Sequence, residues 1–204
     1  MISLVHRTLF VHVPKCAGQS VEQAFCEDLG LRWGKHRHLL GCMQRPGTWS
    51  KAYPGRLAHI TAHQYTALDF CPQEMFDNFY KFAVVRDPVQ RIVSMWRYLE
   101  TELGFDEFVA EFVPEQLAAG HFFYQPQHIY LCAPQTQTLL VDHLIPFSRL
   151  AEEWPDVQRR SGIRAPLGHR NKSDGKAARP EVSAETCARI EEIYADDYAL
   201  IDTF

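Results

Sequence analysis

Residues 8–20 read TLFVHVPKCAGQS, and the rest of the chain is organised around them. Leu9, Phe10, Val11 and Val13 make a short apolar, β-prone segment. Pro14 and Lys15 end it, Cys16, Ala17 and Gly18 form a small-residue turn, and Gln19 and Ser20 follow. Val21, Ala24, Phe25 and Leu29 then recur on one face of a helix. Strand, tight turn and helix N-terminus together make an anion site, because backbone N–H groups point outward and the helix dipole favours negative charge. Lys15 adds a full charge to those partial ones. The stretch predicts a grip on the 5′ phosphate of a nucleotide.

A second unit of the same kind lies further on. Tyr80 to Arg86, YKFAVVR, is almost continuously apolar, as a parallel strand covered on both faces should be. Asp87 is a good N-cap and Pro88 suits the first turn of a helix. Val89, Ile92, Val93, Trp96 and Leu99 predict its core stripe; Arg91 and Arg97 read by default as solvated helix charges and, with Arg86, are candidates for a local basic pocket. Arg86 leaves its strand at the C-terminal end, where open α/β sheets bind ligands. Ser94 lies two turns into the helix. An arginine fork and a serine hydroxyl suit a second phosphate. The Walker A order, GxxxxGK[ST], is not followed, since Lys15 precedes the turn. No acidic residue ends the Tyr80–Val85 segment, which disfavours a magnesium-dependent triphosphatase.

Between and beyond these units the pattern alternates. Leu57 to Ala62 reads as a buried strand delivering His63, Gln64 and Tyr65 at its C-terminal end. Pro72–Asn78, Gly104–Ala119, Leu150–Arg160 and Ser183–Tyr194 read as helices, and Thr138–Ile145 as a strand. Gly30–Gly55 and Ala165–Pro180 are polar, basic, turn-rich loops. The expected fold is α/β: a P-loop-type parallel sheet of four or five strands with helices on both faces, one domain over residues 1–204.

Composition narrows the function. The 204 residues are 46% hydrophobic and 23% charged, an ordinary globular balance. A net charge of −4 argues against a nucleic-acid partner or a broad anionic surface. No apolar run approaches membrane-spanning length. The six cysteines are scattered without a CxxC pair, which fits reduced, buried thiols.

The two motifs together carry a resemblance. FVHVPKCAGQS resembles the 5′-phosphosulfate loop of sulfotransferases, and FAVVRDPVQRIVSMW resembles their 3′-phosphate motif. GHRNKS at Gly168–Ser173 and the ending IYADDYALIDTF are similar to the carbohydrate branch that includes heparan sulfate 2-O-sulfotransferases and bacterial relatives. The resemblance implies 3′-phosphoadenosine 5′-phosphosulfate as donor, adenosine 3′,5′-bisphosphate as product, and no metal. It places Lys15, Cys16, Ala17, Gly18, Gln19 and Ser20 around the 5′ phosphate. Lys15 would also stabilise the leaving group. Arg86 and Ser94 would hold the 3′ phosphate, and Asn171 and Lys172 lie in a late loop that closes over the nucleotide. Cys16 and Gln19 stand where the family commonly has threonine, so hydroxyl contacts are lost while backbone N–H groups remain.

The implied acceptor is a carbohydrate or another hydroxyl-bearing molecule, and its hydroxyl needs a base. His63, in AHQYTALDF, resembles the catalytic histidine of the 2-O-sulfotransferases and is the expected base. His59, inside the predicted strand, is the competitor. Their spacing of four would suit a metal only on a helix. Tyr65, Trp96, Phe122 and Tyr124 are candidates for a stacking surface, and the basic loop Arg32–Lys51 for recognising an acidic sugar chain. Cys16 could be a low-pKa thiol or a small turn filler. The alternatives are a P-loop kinase or hydrolase and a non-catalytic nucleotide-binding relative. Absence of an anchor fits a bacterial cytoplasmic enzyme better than a Golgi one, unless the chain is trimmed. Oligomeric state leaves no mark in the sequence.

Overall fold

The computed structural model describes residues 1–42, 57–168 and 180–202. Ile2–Ser3 (β1) pairs antiparallel with Thr8–Val11 (β2), which leads through the loop to helix α1, Gly18–Asp28. One-turn helix α2 (Trp33–His36) and a 3-10 turn follow. Short helices α3 (Gln64–Ala67) and α4 (Gln73–Asn78) precede β3, Tyr80–Val85. Helix α5 (Pro88–Leu99) comes next. Then α6 (Phe105–Glu107), a π-helical turn and α7 (Val113–Ala118) run on continuously, followed by α8, Gln127–Leu131. The chain continues with β4 (His143–Pro146), α9 (Leu150–Ser161), α10 (Ala184–Ile193) and α11 (Ala195–Ile201).

The four strands stand in chain order, with β2, β3 and β4 parallel. Phe10, Phe82 and His143 share one row of the register and hence one face. Phe25 of α1 stacks on Phe82 there, and Trp154 of α9 meets Phe25 edge-on. Burying such a ring contributes about 2–3 kcal/mol. Lys81 points the opposite way, with its ammonium over the Phe76 ring of α4. Helices therefore cover both faces. A second apolar cluster joins Ile92 and Met95 of α5 to Phe108, Val113 and Ile190.

Three local expectations are corrected. Leu57–Ala62 is a run of turns, because its backbone bonds outside the sheet: Leu57 N donates to Gly41 and Ala62 N to Tyr130. The fourth strand is instead the two-residue β1. The predicted Thr138–Ile145 strand shrinks to β4, with Leu139 held in an isolated bridge to Cys132. On α5, Ile92 and Val93 are buried as expected, but Leu99 is 39% exposed and Met95 takes a core position. Asp87 caps α5 by accepting from Gln90 N at 2.8 Å. Ser183 caps α10, accepting from Thr186 N at 3.1 Å.

Candidate active site

Because β2 and β3 are neighbours and parallel, the turns that leave them emerge side by side. The turn after β2 is conformationally costly. Lys15 and Ala17 both adopt the left-handed region, at φ 65° and 58°. Non-glycine residues held this way cost about 1–3 kcal/mol each and persist where the surroundings impose them. Left-handed residues in such a turn aim successive N–H groups into a concavity that suits an anion. Ala17 is the N-cap of α1 and supplies no side-chain cap. Gly18 is required for another reason: a Cβ there would collide with the imidazole of His12. That imidazole is buried and bonds Glu22 of α1 at 2.6 Å. Burial opposes the Glu22 charge, but His12 and Trp33 outweigh it and lower its pKa.

Lys15 is half-buried, and its ammonium lies 4.1 Å from the centre of the Tyr98 ring. Burial, then the nearby Arg86 cation, lowers its pKa to about 8. Cys16 is buried and its thiol is pushed up to about 12, chiefly by desolvation. The low-pKa reading of Cys16 is thus overturned, and the residue fills the turn. Its Sγ donates to Gln127 Oε1 at 3.3 Å. Ser20 is buried and Gln19 exposed.

The second unit is tied to the first by Gln127, which the sequence did not single out, and by Arg91, which it placed differently. Gln127, fully buried, brackets the Arg86 peptide, accepting from its N–H at 2.9 Å and donating to its carbonyl at 2.8 Å. Arg91 is only 1% exposed, so its reading as a solvated charge is corrected. It donates to the carbonyls of Pro14, Phe123 and Gln125 at 3.2, 3.3 and 2.9 Å. Its guanidinium also faces the buried Asp197 at 4.0 Å. The terminal ADDY run therefore braces the turn after β2 through α5. The only hint in the sequence was an acid pair in an otherwise amphipathic ending.

The Arg86 guanidinium sits 4.5 Å from the Phe147 ring. Beside it lies a cavity of about 100 Å³, lined by Arg86, Asp87, Gln90, Phe147 and Ser148 among others. Ser94 is half-buried on α5. Spacing puts it on the same side as Arg91 and Tyr98.

The two histidines are placed differently from expectation. His63 follows no strand; it precedes α3 and is exposed. His59 occupies a turn at φ 69°, with Nδ1 3.0 Å from the His12 carbonyl. Its ring lies 4.3 Å from that of His12 and stacks on Phe122 at 5.5 Å. It therefore adjoins the phosphate-type loop directly. The pair shares no helix face, so the metal arrangement is absent there. Tyr65 and Tyr124 are buried and offer no stacking surface; Phe122, 39% exposed, does. Asn171 and Lys172, and the part of the basic loop beyond Cys42, lie outside the described residues. No helix among the described residues is long and apolar enough to cross a membrane.

In comparisons with known proteins, residues 1–202 match the family model described as "Sulfotransferase family". No curated protein and no solved structure matches the chain.

Proposed function

The chain belongs to the sulfotransferase family, and from that premise we propose that it transfers a sulfuryl group from 3′-phosphoadenosine 5′-phosphosulfate to a hydroxyl of a carbohydrate acceptor. The observation that carries this reading is the approach of two cations, Lys15 and Arg86. They follow adjacent parallel strands, and burial first, then the charge of Arg86, depresses the Lys15 pKa. Such like-charge crowding is relieved by an anionic ligand. A donor with phosphate at both ends fits this pair, the turn of left-handed residues, and the cavity beside Arg86.

On this reading the loop from Lys15 to Ser20 cradles the 5′ phosphate, using backbone N–H groups other than those of Cys16 and Ser20, which donate to the Val13 and Ala17 carbonyls. Arg86 and Ser94 hold the 3′ phosphate, with Arg86 oriented by Gln127. Asn171 and Lys172, outside the described residues, are assigned to the nucleotide by the motif resemblance alone. Lys15 meets the charge that develops on the leaving oxygen, a role in which fixed electrostatics contributes most. The acceptor proton goes to a histidine, for which His63 and His59 are the candidates. The exposed rings of His121, Phe122 and Tyr98 suit the flat face of a sugar.

The test is a thermal-shift titration with adenosine 3′,5′-bisphosphate and with ATP plus magnesium. The bisphosphate should raise Tm, since a ligand at 100 times its Kd stabilises by about 2.7 kcal/mol. Preference for ATP would replace this reading with a kinase or hydrolase. A shift with the bisphosphate but no transfer to any oligosaccharide would mark a non-catalytic relative.

A further inference from the structure

Helix α5 addresses the loop with one face. From Arg91 the spacings +3 and +7 reach Ser94 and Tyr98, so the three side chains form a stripe. Arg91, at one end, holds the Pro14 carbonyl at 3.2 Å. Tyr98, at the other, lies under the ammonium of the next residue, Lys15, at 4.1 Å. The Tyr98 ring is braced from behind by Phe123, centroid to centroid 5.7 Å. The Phe123 carbonyl in turn accepts from Arg91 at 3.3 Å. Arg91, Pro14, Lys15, Tyr98 and Phe123 thus form a closed circuit of contacts.

Packing alone does not account for Tyr98, which is 65% exposed near the end of α5. Among the described residues, the charged side chain over its ring is the one on which the proposed donor chemistry depends. A half-buried ammonium has given up water, so a ring face is worth more to it than it would be at an open surface. Lys15 has a long, flexible stem, and fixing such a side chain before binding spares entropy when a ligand arrives.

We propose that Tyr98 is a positioning residue for Lys15, extending the phosphate-gripping face of α5 one turn beyond Ser94 and holding the ammonium at the mouth of the loop. The proposal rests on the donor-binding reading above. No bond is made or broken at Tyr98; it acts through the place where Lys15 waits. The ring face matters and the phenol hydroxyl does not.

The test is a double-mutant cycle on adenosine 3′,5′-bisphosphate affinity, measured by calorimetry for wild type, Y98L, Y98F, K15M and Y98L/K15M. Y98L should weaken binding about tenfold, within the range of a partly desolvated cation–π contact. Y98F should stay within about twofold of wild type. In the K15M background Y98L should change little, because the interaction has already gone. Thermal stability without ligand should fall only slightly in Y98L relative to Y98F, by no more than the ring contacts of a largely exposed side chain, separating positioning from folding. Equal losses in Y98L and Y98F, additive effects with K15M, or tighter binding by Y98L would each overturn the proposal. Failure of the wild type to bind the bisphosphate would instead overturn the donor reading, and this inference with it.

Discussion

Arg91 Nε donates to the Pro14 carbonyl at 3.2 Å across 77 residues of sequence, while the same guanidinium faces Asp197 at 4.0 Å. One buried cation thus joins the turn after β2, helix α5 and the C-terminal helix α11. Removing it takes the guanidinium from three carbonyls, of which Pro14 keeps the Cys16 thiol as donor, and leaves the buried Asp197 beside the His128 imidazole. Breaking a buried pair on one side costs about 3–5 kcal/mol. Arg91→Met should lower the urea unfolding free energy by that order. Arg91→Lys should recover little, since an ammonium cannot reproduce the planar fork. A loss under about 1 kcal/mol in Arg91→Met, by the usual scatter of surface changes, would show the bracket to be incidental.

Gly18→Ala should disrupt the loop through His12. The added methyl meets the imidazole, which Glu22 holds in place. Bisphosphate affinity should fall at least tenfold, as expected when a close backbone approach is displaced. His12→Ala in the same chain opens the space and should restore part of the affinity, at a cost in stability because Glu22 loses its His12 partner and keeps the Trp33 donor. No recovery in the double variant would mean that Gly18 serves the ligand directly.

Bisphosphate affinity should depend on pH through Lys15. Its pKa without ligand is about 8, and a bound phosphate must raise it. The gain from Lys15 is therefore fully present below about pH 8 and is lost as pH climbs through the higher, bound-state pKa. Calorimetry from pH 7 to 10 should show affinity falling on the alkaline side. Lys15→Arg, which stays charged throughout, should flatten the curve. The same slope in both proteins would locate the titration elsewhere.

The base can be assigned by substitution. His59 touches the loop through the His12 carbonyl, whereas His63 is exposed ahead of α3. Loss of a general base lowers turnover about 100-fold or more. His59→Gln and His63→Gln should therefore separate when donor turnover is followed with a labelled sulfuryl group at unchanged bisphosphate affinity. The variant that falls identifies the base. Full activity in both would remove histidine from the mechanism.

Cys16 should resist alkylation in the folded protein, because it is buried and its pKa is pushed up to about 12. Cys187, half-buried, should react first with iodoacetamide at pH 8. Mass spectrometry of the labelled peptides checks the order. Rapid labelling of Cys16 would show that the turn opens in solution.

The sequence by itself determined the two strand–turn–helix units. Their signals are local: the apolar runs Leu9–Val11 and Lys81–Val85, the Gly18 turn, the Asp87-Pro88 cap and helical periodicity. Such patterns are set by neighbouring residues and survive without a partner. His59 and Leu57–Ala62 misled for a physical reason. A short apolar run suits a strand and a buried turn equally, and only its hydrogen-bond partners, Gly41 and Tyr130, decide between them. Tertiary structure alone decided the fate of Arg91, Gln127 and Tyr98. An arginine on a helix looks solvated until three carbonyls and an aspartate from distant segments surround it. Lys15 was legible as the charge of an anion loop. Its lowered pKa and its place over Tyr98 were not, because burial and the nearness of Arg86 arise only when β2 and β3 lie side by side.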